Sequence, residues 1–86
     1  MTFTFEVSVR LKPGLLDPQG KAIEASLPAM GWTNVSGVRV GKHVELTVDA
    51  PNEDAARTQV EEIARRLLSN PVIEEFAIAA AAEAGR

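Results

Sequence analysis

A strict alternation of apolar and polar side chains at the start of the chain limits its fold more than any other feature. Every second position from 3 to 11 is apolar: Phe3, Phe5, Val7, Val9 and Leu11. The positions between them carry Thr2, Thr4, Glu6, Ser8 and Arg10. A period of two places these sets on opposite faces of a β-strand. The pattern predicts a strand over residues 2–12, with one buried face, that ends at Pro13-Gly14.

The segment after this turn is typical of a helix. Asp17 followed by Pro18 is a favoured N-cap with proline at the first helical position. The apolar residues at helical spacing are Ile23, Leu27 and Met30, which predict one buried face. Pro28 removes a backbone donor, so we expect a kink or an end there, and Gly31 is a natural stop.

The middle of the chain, residues 34–49, predicts a β-hairpin around Gly41-Lys42. Two registers of the predicted hairpin strands are possible. A two-residue loop would place Val44 opposite Arg39, whereas a three-residue loop would pair apolar residues and set Arg39 across from Glu45. We expect the second register, because it gathers the apolar residues on one face.

The last third predicts a second helix and a final strand. Residues 51–54 open the helix, with acids in its first turn, and Asn70-Pro71 ends it. Its buried stripe is predicted to be Ala56, Val60, Ile63, Ala64 and Leu67. Residues 72–80 then form a strand, with Phe76 and Ile78 on one face.

The element order is therefore β-α-β-β-α-β. Two right-handed crossovers around a hairpin give an α+β, ferredoxin-like sandwich, with a four-stranded antiparallel sheet of order 4-1-3-2 and both helices on one face. The chain has 86 residues, the size of one domain. We expect that domain to span residues 1–80 and residues 81–86 to form a frayed tail.

Side chains that carry chemistry are sparse. The chain has no cysteine and a single histidine, His43, which is predicted to be exposed at the hairpin tip. Adjacent carboxylates such as Glu61-Glu62 point in different directions on a helix, so they do not form a catalytic pair. We expect no catalytic, cofactor-binding or metal-binding residue in this chain.

Charge and hydropathy exclude further classes of partner. The net charge is −3 and the cations are scattered, so we expect no nucleic-acid binding. No apolar run is long enough to span a membrane, and the first residues do not resemble a secretory signal. The residues alone indicate a small α+β module that binds another molecule.

Three segments, in order, resemble the PurS family of small subunits of phosphoribosylformylglycinamidine synthase. The family's first loop reads close to Lys-Pro-Gly-Val/Leu-Leu-Asp-Pro-Gln-Gly, as residues 12–20 do here. Its hairpin carries Val-Arg-x-Gly-Lys, which residues 38–42 match, and then a Glu-Leu pair, as at residues 45–46. Its last helix and strand resemble residues 67–74.

The resemblance implies a non-catalytic subunit of a glutamine-dependent, ATP-consuming ligase in purine synthesis. In that complex a large synthetase subunit uses ATP and magnesium, and a glutaminase subunit releases ammonia. The small subunit is expected to bridge the two, to support ammonia transfer, and to form a homodimer or tetramer in the cytoplasm. It is expected to hold no cofactor itself.

The resemblance and the predicted hairpin together place partner contact on one ridge. Its residues are Lys12, Pro13, Gly14, Gln19, Arg39, Gly41 and Lys42. Turn geometry alone would also explain Pro13, Gly14 and Gly41. The alternative function is a free-standing homodimeric module that senses a small metabolite.

Overall fold

The computed structural model of the chain describes residues 1–81. Its helices and strands are β1 (Thr2–Leu11), α1 (Pro18–Ser26), a 3-10 turn (Pro28–Met30), β2 (Gly41–Asp49), α2 (Glu53–Ile63), a π-helical turn (Ala64–Leu68) and β3 (Glu74–Ala80). The strands form one sheet of order β2-β1-β3, and both pairings are antiparallel. The predicted α+β class, with two helices and an antiparallel sheet, is confirmed. Most of the predicted tail, residues 82–86, lies outside the described residues.

The alternation of apolar and polar side chains along β1 explains its place at the centre of the sheet. Phe5, Val7 and Val9 are buried and form the middle of the core. Val7 lies opposite Val44 of β2 on one side and Ile78 of β3 on the other. The polar set faces away from the core, as the period of two requires.

Helix α2 supplies the layer that covers this sheet. Asn52 caps it, because its side-chain oxygen accepts a hydrogen bond from the Ala55 amide at 2.8 Å. Ala56, Val60 and Ala64 are buried against the sheet, and the helix packs on β1 and β2. The predicted start and most of the predicted stripe are therefore confirmed.

One residue of the stripe, Leu67, is instead 77% exposed. The Ser69 amide donates to the Ala64 carbonyl at 3.0 Å, an i to i+5 bond that widens the last turn. Because this turn is wider, Leu67 does not lie on the helix face where regular α-helical spacing would place it. The prediction assumed regular helical spacing up to residue 69.

The predicted hairpin is wrong for the described residues. Residues 31–40 form no strand, and β2 pairs with β1 instead, so the described chain has three strands rather than four. Neither predicted register occurs, because Val44 lies opposite Val7. Arg39 does not face Glu45, and His43 lies within β2 rather than at a turn, although it is exposed as expected. The ferredoxin-like arrangement is thus not confirmed.

Helix α1 also departs from the prediction. It ends at Ser26, just before Pro28, and Gly31 closes the following turn with φ +105°, as the sequence indicated. However, no residue of α1 belongs to the hydrophobic core cluster, and Ile23 is 46% exposed and Met30 65% exposed. The expectation that both helices cover the sheet is wrong for this chain.

The molecule is elongated and thin. Its extents are 52 × 33 × 13 Å, whereas ten-residue β1 spans only about 33 Å, and β2 and β3 pair within its length. Its radius of gyration is 16.3 Å, against about 12 Å for a compact domain of 86 residues. We call residues 12–40, which contain the uncovered helix α1, the arm.

Candidate functional site

The joint between the arm and the sheet centres on the carboxylate of Asp17. This side chain is 7% exposed and is the one buried polar residue among those the structure describes. Its Oδ1 accepts a hydrogen bond from the Gly20 amide at 2.9 Å, which caps α1. Its Oδ2 accepts one from the Val40 amide at 2.8 Å. One side chain therefore starts the helix and holds the residue that precedes β2.

These hydrogen bonds set the charge state of the joint. The backbone amides of Gly20 and Val40, with a smaller contribution from the Arg39 guanidinium, hold the pKa of Asp17 below its ordinary value of 3.8. Burial of the carboxyl group opposes this shift. At neutral pH the side chain is an anion that accepts hydrogen bonds on both oxygens.

Arg39 connects the joint to the end of β1. Its Nη2 donates to the Leu11 carbonyl at 2.7 Å and to the Lys12 carbonyl at 3.3 Å, and its Nε lies 3.6 Å from Asp17 Oδ2. The partner of Arg39 is therefore Asp17 rather than the predicted Glu45. The guanidinium ties the first loop to residues 38–40.

A second carboxylate holds the returning segment of the arm against α1. Glu24 Oε1 accepts a hydrogen bond from the Val38 amide at 3.2 Å. The Val38 amide thus donates to a side chain of α1 and the Val40 amide to the N-cap residue of that helix. These two bonds occupy amides that the predicted hairpin strand would have used for pairing.

Gly20 permits the close contact between α1 and this segment. A Cβ at Gly20 would lie 2.3 Å from the Val38 carbonyl oxygen, so only glycine fits without movement of the backbone. Gly41 has a similar role in the sheet, because its Cβ would lie 2.3 Å from the Val9 carbonyl oxygen. The first glycine is therefore needed for helix packing and the second for strand pairing.

The structure brings most of the predicted ridge residues to one joint. Gln19, Gly41 and Lys42 line a groove of ≈ 450 Å³ between the start of α1 and the ends of β1 and β2. Lys12 is exposed and adjoins them through its carbonyl contact with Arg39.

Two more residues of the predicted ridge, Pro13 and Gly14, lie outside the groove and form the exposed turn after β1. Gly14 has φ +89°, which turn geometry alone explains.

Sequence reasoning did not identify the residues that organise this joint. Asp17 was expected only to cap the helix, and its bond to Val40 spans 23 residues, which no local pattern predicts. The sequence did contain one signal of the joint, which is Gly20. Glycine at the third position of a helix is unfavourable, so its presence there indicates that another segment of the chain approaches closely.

The outer face of the sheet offers a second, polar surface. Arg10 Nε lies 3.2 Å from Glu75 Oε2, and the two line a groove of ≈ 480 Å³ together with Ser8 and Ala77. Thr4 and Thr47 share a hydrogen bond of 2.9 Å on the same face. The groups on this face are suited to hydrogen bonding, and Ser8 of β1 lies opposite His43 of β2 among them.

Residues 1–81 contain no group of three or more histidine and acidic side chains arranged to hold a metal ion. Within the same range, no helix has the length and apolar character needed to cross a bilayer. The contacts seen at the joint position chain segments and place charged groups at its surface.

Comparison with known proteins identifies the family. Residues 4–82 match the family model described as PurS, phosphoribosylformylglycinamidine (FGAM) synthase. The subunit PurS of that synthase from Synechocystis is 43% identical over 70 residues, which are 81% of this chain and 70% of the relative. The corresponding subunit of Mycobacterium leprae is 43% identical over 72 residues, 84% of this chain and 87% of the relative.

Comparison with solved structures indicates the same family as these relatives. A chain in the structure of PurLQS from Thermotoga maritima superposes with a TM-score of 0.88 at 32% identity, covering 94% of this chain and 99% of that one. PurS from Methanocaldococcus jannaschii gives 0.80 at 33% identity, covering 94% and 96%. With the match over residues 4–82, these similarities place the chain in the PurS family.

Proposed function

We propose that this chain is the non-catalytic bridging subunit of phosphoribosylformylglycinamidine synthase in purine biosynthesis. The observation that carries the proposal is the family match over residues 4–82, together with the likeness to a chain of the PurLQS structure. The chain would join an ATP-dependent synthetase subunit to a glutaminase subunit and support the transfer of ammonia between them.

The chemistry in this proposal belongs to the other subunits. The synthetase would use ATP and magnesium, and the glutaminase would hydrolyse glutamine, while this chain would contribute surfaces. The assembly would work in the cytoplasm. The chain would also associate with itself, as a dimer or tetramer.

The groove at the arm joint is the proposed contact with another subunit. Lys42 and Gln19 are exposed there, and neither side chain makes a hydrogen bond to another of the residues 1–81. Lys12, Pro13 and Gly14 extend the same surface toward the turn after β1. Arg39 and Gly41 would act indirectly, since Arg39 holds the first loop and Gly41 lets β2 approach β1.

Reconstitution tests the bridging role. The purified chain would be mixed with the synthetase and glutaminase subunits of the same organism, and FGAM formation would be measured with glutamine or with ammonium as nitrogen source. We expect the chain to be required with glutamine and dispensable with ammonium, since free ammonia needs no bridge. Equal glutamine-dependent turnover without the chain would refute the proposal.

A pair of lysine variants tests the location of the contact. Lys42→Ala should raise the concentration of chain needed for half-maximal glutamine-dependent turnover, without a change in its own stability. Lys21→Ala is the matched control, because Lys21 is equally exposed on α1 but does not line the groove. If both variants behave like the parent chain, the groove is not the contact.

A further inference from the structure

The two edges of the sheet differ in how they are protected. In the order β2-β1-β3, the outer strands β2 and β3 each leave one edge without a neighbouring strand among residues 1–81. Folded proteins protect such edges with charged side chains, proline, a bulge or a covering segment, because unpaired backbone groups bind other strands. An edge that lacks these features is a candidate contact for another chain.

The register determines which backbone groups of β3 point away from β1. The Lys12 amide donates to the Ile73 carbonyl at 2.8 Å, and the Ala81 amide donates to the Thr4 carbonyl at 2.8 Å. In an antiparallel pair every second residue is bonded in this way, so the odd-numbered residues of β3 bond to β1. The N–H and C=O groups of the even-numbered residues consequently face the open edge. Within the last five residues of β3, these are Phe76, Ile78 and Ala80.

The edge of β3 has no protecting feature over these last five residues. Residues 76–80 are Phe-Ala-Ile-Ala-Ala, without a charge or a proline. Their pairing with β1 continues without a break, so the strand contains no bulge. Acidic side chains occur only at the start of β3, and both already bind within the chain: Glu74 accepts from the Asn70 amide, and Glu75 pairs with Arg10. The open stretch is long enough to pair with a short extended segment.

The open edge of β2 is different. The Ala50 amide donates to the Met1 carbonyl at 2.8 Å, so the register with β1 turns the N–H and C=O groups of the odd-numbered residues of β2 outward. Ionisable side chains are spread along this strand. They are Lys42, His43, Glu45 and Asp49. The composition of β2 is therefore that of a protected edge, whereas the composition of β3 is not.

The side chains of β3 indicate the kind of strand that this edge can accept. Phe76 and Ile78 belong to the inner face, where they are partly buried against the core. Ala77 and Ala79 are exposed on the outer face, and they leave space for larger neighbours. In an added strand, the residues opposite Phe76 and Ile78 would lie on the inner face beside them. The edge therefore fits an extended segment with apolar side chains at alternate positions.

This edge is continuous with the groove that is proposed above as the contact with another subunit. Glu74, the first residue of β3, lines that groove together with Gln19 and Lys42. At about 3.3 Å per residue, the open edge at Phe76 begins about 7 Å beyond Glu74. A subunit that occupies the groove is thus within reach of the edge.

We propose that the open edge of β3 receives an extended segment of the subunit that occupies the groove, as an additional antiparallel strand of the sheet. The backbone groups of residues 76–80 supply the hydrogen bonds, and the alternating apolar side chains of the segment select it. Antiparallel addition continues the pattern of the described sheet. The inference rests on the bridging role proposed above and adds the mode of contact to it.

Amide exchange resolved to single residues tests this pairing. The isotope-labelled chain is exchanged in D2O alone, with the synthetase subunit and with the glutaminase subunit, and its remaining amide signals are read by NMR after slow-exchange conditions separate the subunits. In the chain alone, Ala77 and Ala79 should exchange slowly, because their amides donate to β1, whereas Phe76 and Ile78 should exchange fast. One of the two subunits should slow Phe76 and Ile78 at least tenfold, so that the alternation along β3 disappears.

The edge of β2 is the internal control in the same measurement. The amides of His43, Glu45 and Thr47 also point away from β1, and they should exchange alike with and without the subunit. Equal slowing at both edges would indicate general shielding and would refute strand addition, as would unchanged exchange at Phe76 and Ile78 with both subunits. Protection of these two amides in the chain alone that rises with its concentration would assign the edge to a second copy and would also overturn the proposal.

A proline variant tests the contact through binding. Ala80→Pro removes an N–H group that faces the open edge, a position where strands tolerate proline. It should weaken binding to the protecting subunit about two- to tenfold, the effect of one lost hydrogen bond. Glu45→Pro is the matched control, because it removes an outward N–H group from β2, and Ala80→Ser keeps the amide. A folded Ala80→Pro variant that binds like the parent chain would contradict strand addition. The exchange experiment uses the unaltered chain and decides the matter if the variant does not fold.

Failure of this inference is distinguishable from failure of the bridging role. Restored glutamine-dependent turnover without added protection at Phe76 and Ile78 would refute strand addition and leave bridging intact. Protection of these amides by one subunit, without any gain in turnover, would support strand addition and refute bridging alone.

Discussion

Replacement of Gly20 by alanine should have two opposing effects on the stability of the chain. Gly20 is the third residue of α1, where alanine is favoured over glycine by at most about 1 kcal/mol. On helix propensity alone, Gly20→Ala would stabilise the chain. The added Cβ, however, would lie 2.3 Å from the Val38 carbonyl oxygen and 2.9 Å from Asp17 Oδ2.

The steric effect should be the larger of the two. A carbon and an oxygen atom cannot remain at 2.3 Å, and the nearer atom belongs to the backbone, which cannot rotate away as a side chain can. Overpacking of this kind costs about 1–3 kcal/mol and the propensity gain offsets about 1 kcal/mol, so the net loss in the free energy of unfolding should reach about 2 kcal/mol. For a chain of this size a loss of about 2 kcal/mol corresponds to a decrease in Tm of roughly 10 °C.

Thermal unfolding at a fixed protein concentration measures this loss, since association would make Tm depend on concentration. Amide exchange of Val38 and Val40 should also accelerate in the variant, because the Cβ pushes this segment away from α1. Ala25→Gly calibrates the propensity effect at an exposed position of the same helix. A higher Tm for Gly20→Ala, with unchanged exchange at Val38, would refute the close contact between the two segments.

Three further predictions concern the core, the sheet and the joint. Phe5→Ala should lower the free energy of unfolding by about 3–5 kcal/mol, measured in urea, because Phe5 is fully buried in the central strand. Gly41→Ala should destabilise the chain and accelerate amide exchange in β2, since its Cβ would meet the Val9 carbonyl; unchanged exchange would argue against that contact. Asp17 has a depressed pKa in the folded chain, so its stabilisation is present above its ordinary value of 3.8 and is lost as the pH falls through the lower folded value. Urea titrations across this acidic range should therefore show a loss of stability that Asp17→Asn lacks, and parallel pH profiles for the two proteins would contradict it.

The sequence predicted those parts of the fold that depend on nearest neighbours. Alternation in β1 gave the central strand and its buried face, and Asn52 with the following acids marked the start of α2. Pro28 and Gly31 placed the end of α1 correctly. Each of these signals acts within a few residues, so a single sequence contains all the information needed to read it.

The errors arose where distant residues decide the conformation. Residues 34–40 have the composition of a strand, but the amides of Val38 and Val40 bind Glu24 and Asp17, which lie 14 and 23 positions earlier. Ile23 and Met30 have the spacing of a buried helix face, yet both are exposed in the described part of the chain. Periodicity shows that a face is apolar and does not show which molecule covers it.

The predicted ridge stays a prediction, and the structure shows only how its residues are positioned. Arg39 was expected on that surface, and the structure places it near Lys12, although its partner is Asp17 rather than Glu45. The groove residues Gln19 and Lys42 come together only because Val40 is held by Asp17. The contacts that position these side chains depend on tertiary structure, which a local pattern does not contain.

The strand order β2-β1-β3 has a consequence for the synthesis of the protein. Among the described strands, β1 is synthesised first, and its two partners are residues 41–49 and residues 74–80. At about 5–20 residues per second, the 63 residues from Leu11 to Glu74 take roughly 3–13 s to add, so one edge of β1 stays open for that time. Charged and hydroxyl side chains at alternate positions of β1 would limit its aggregation during this interval.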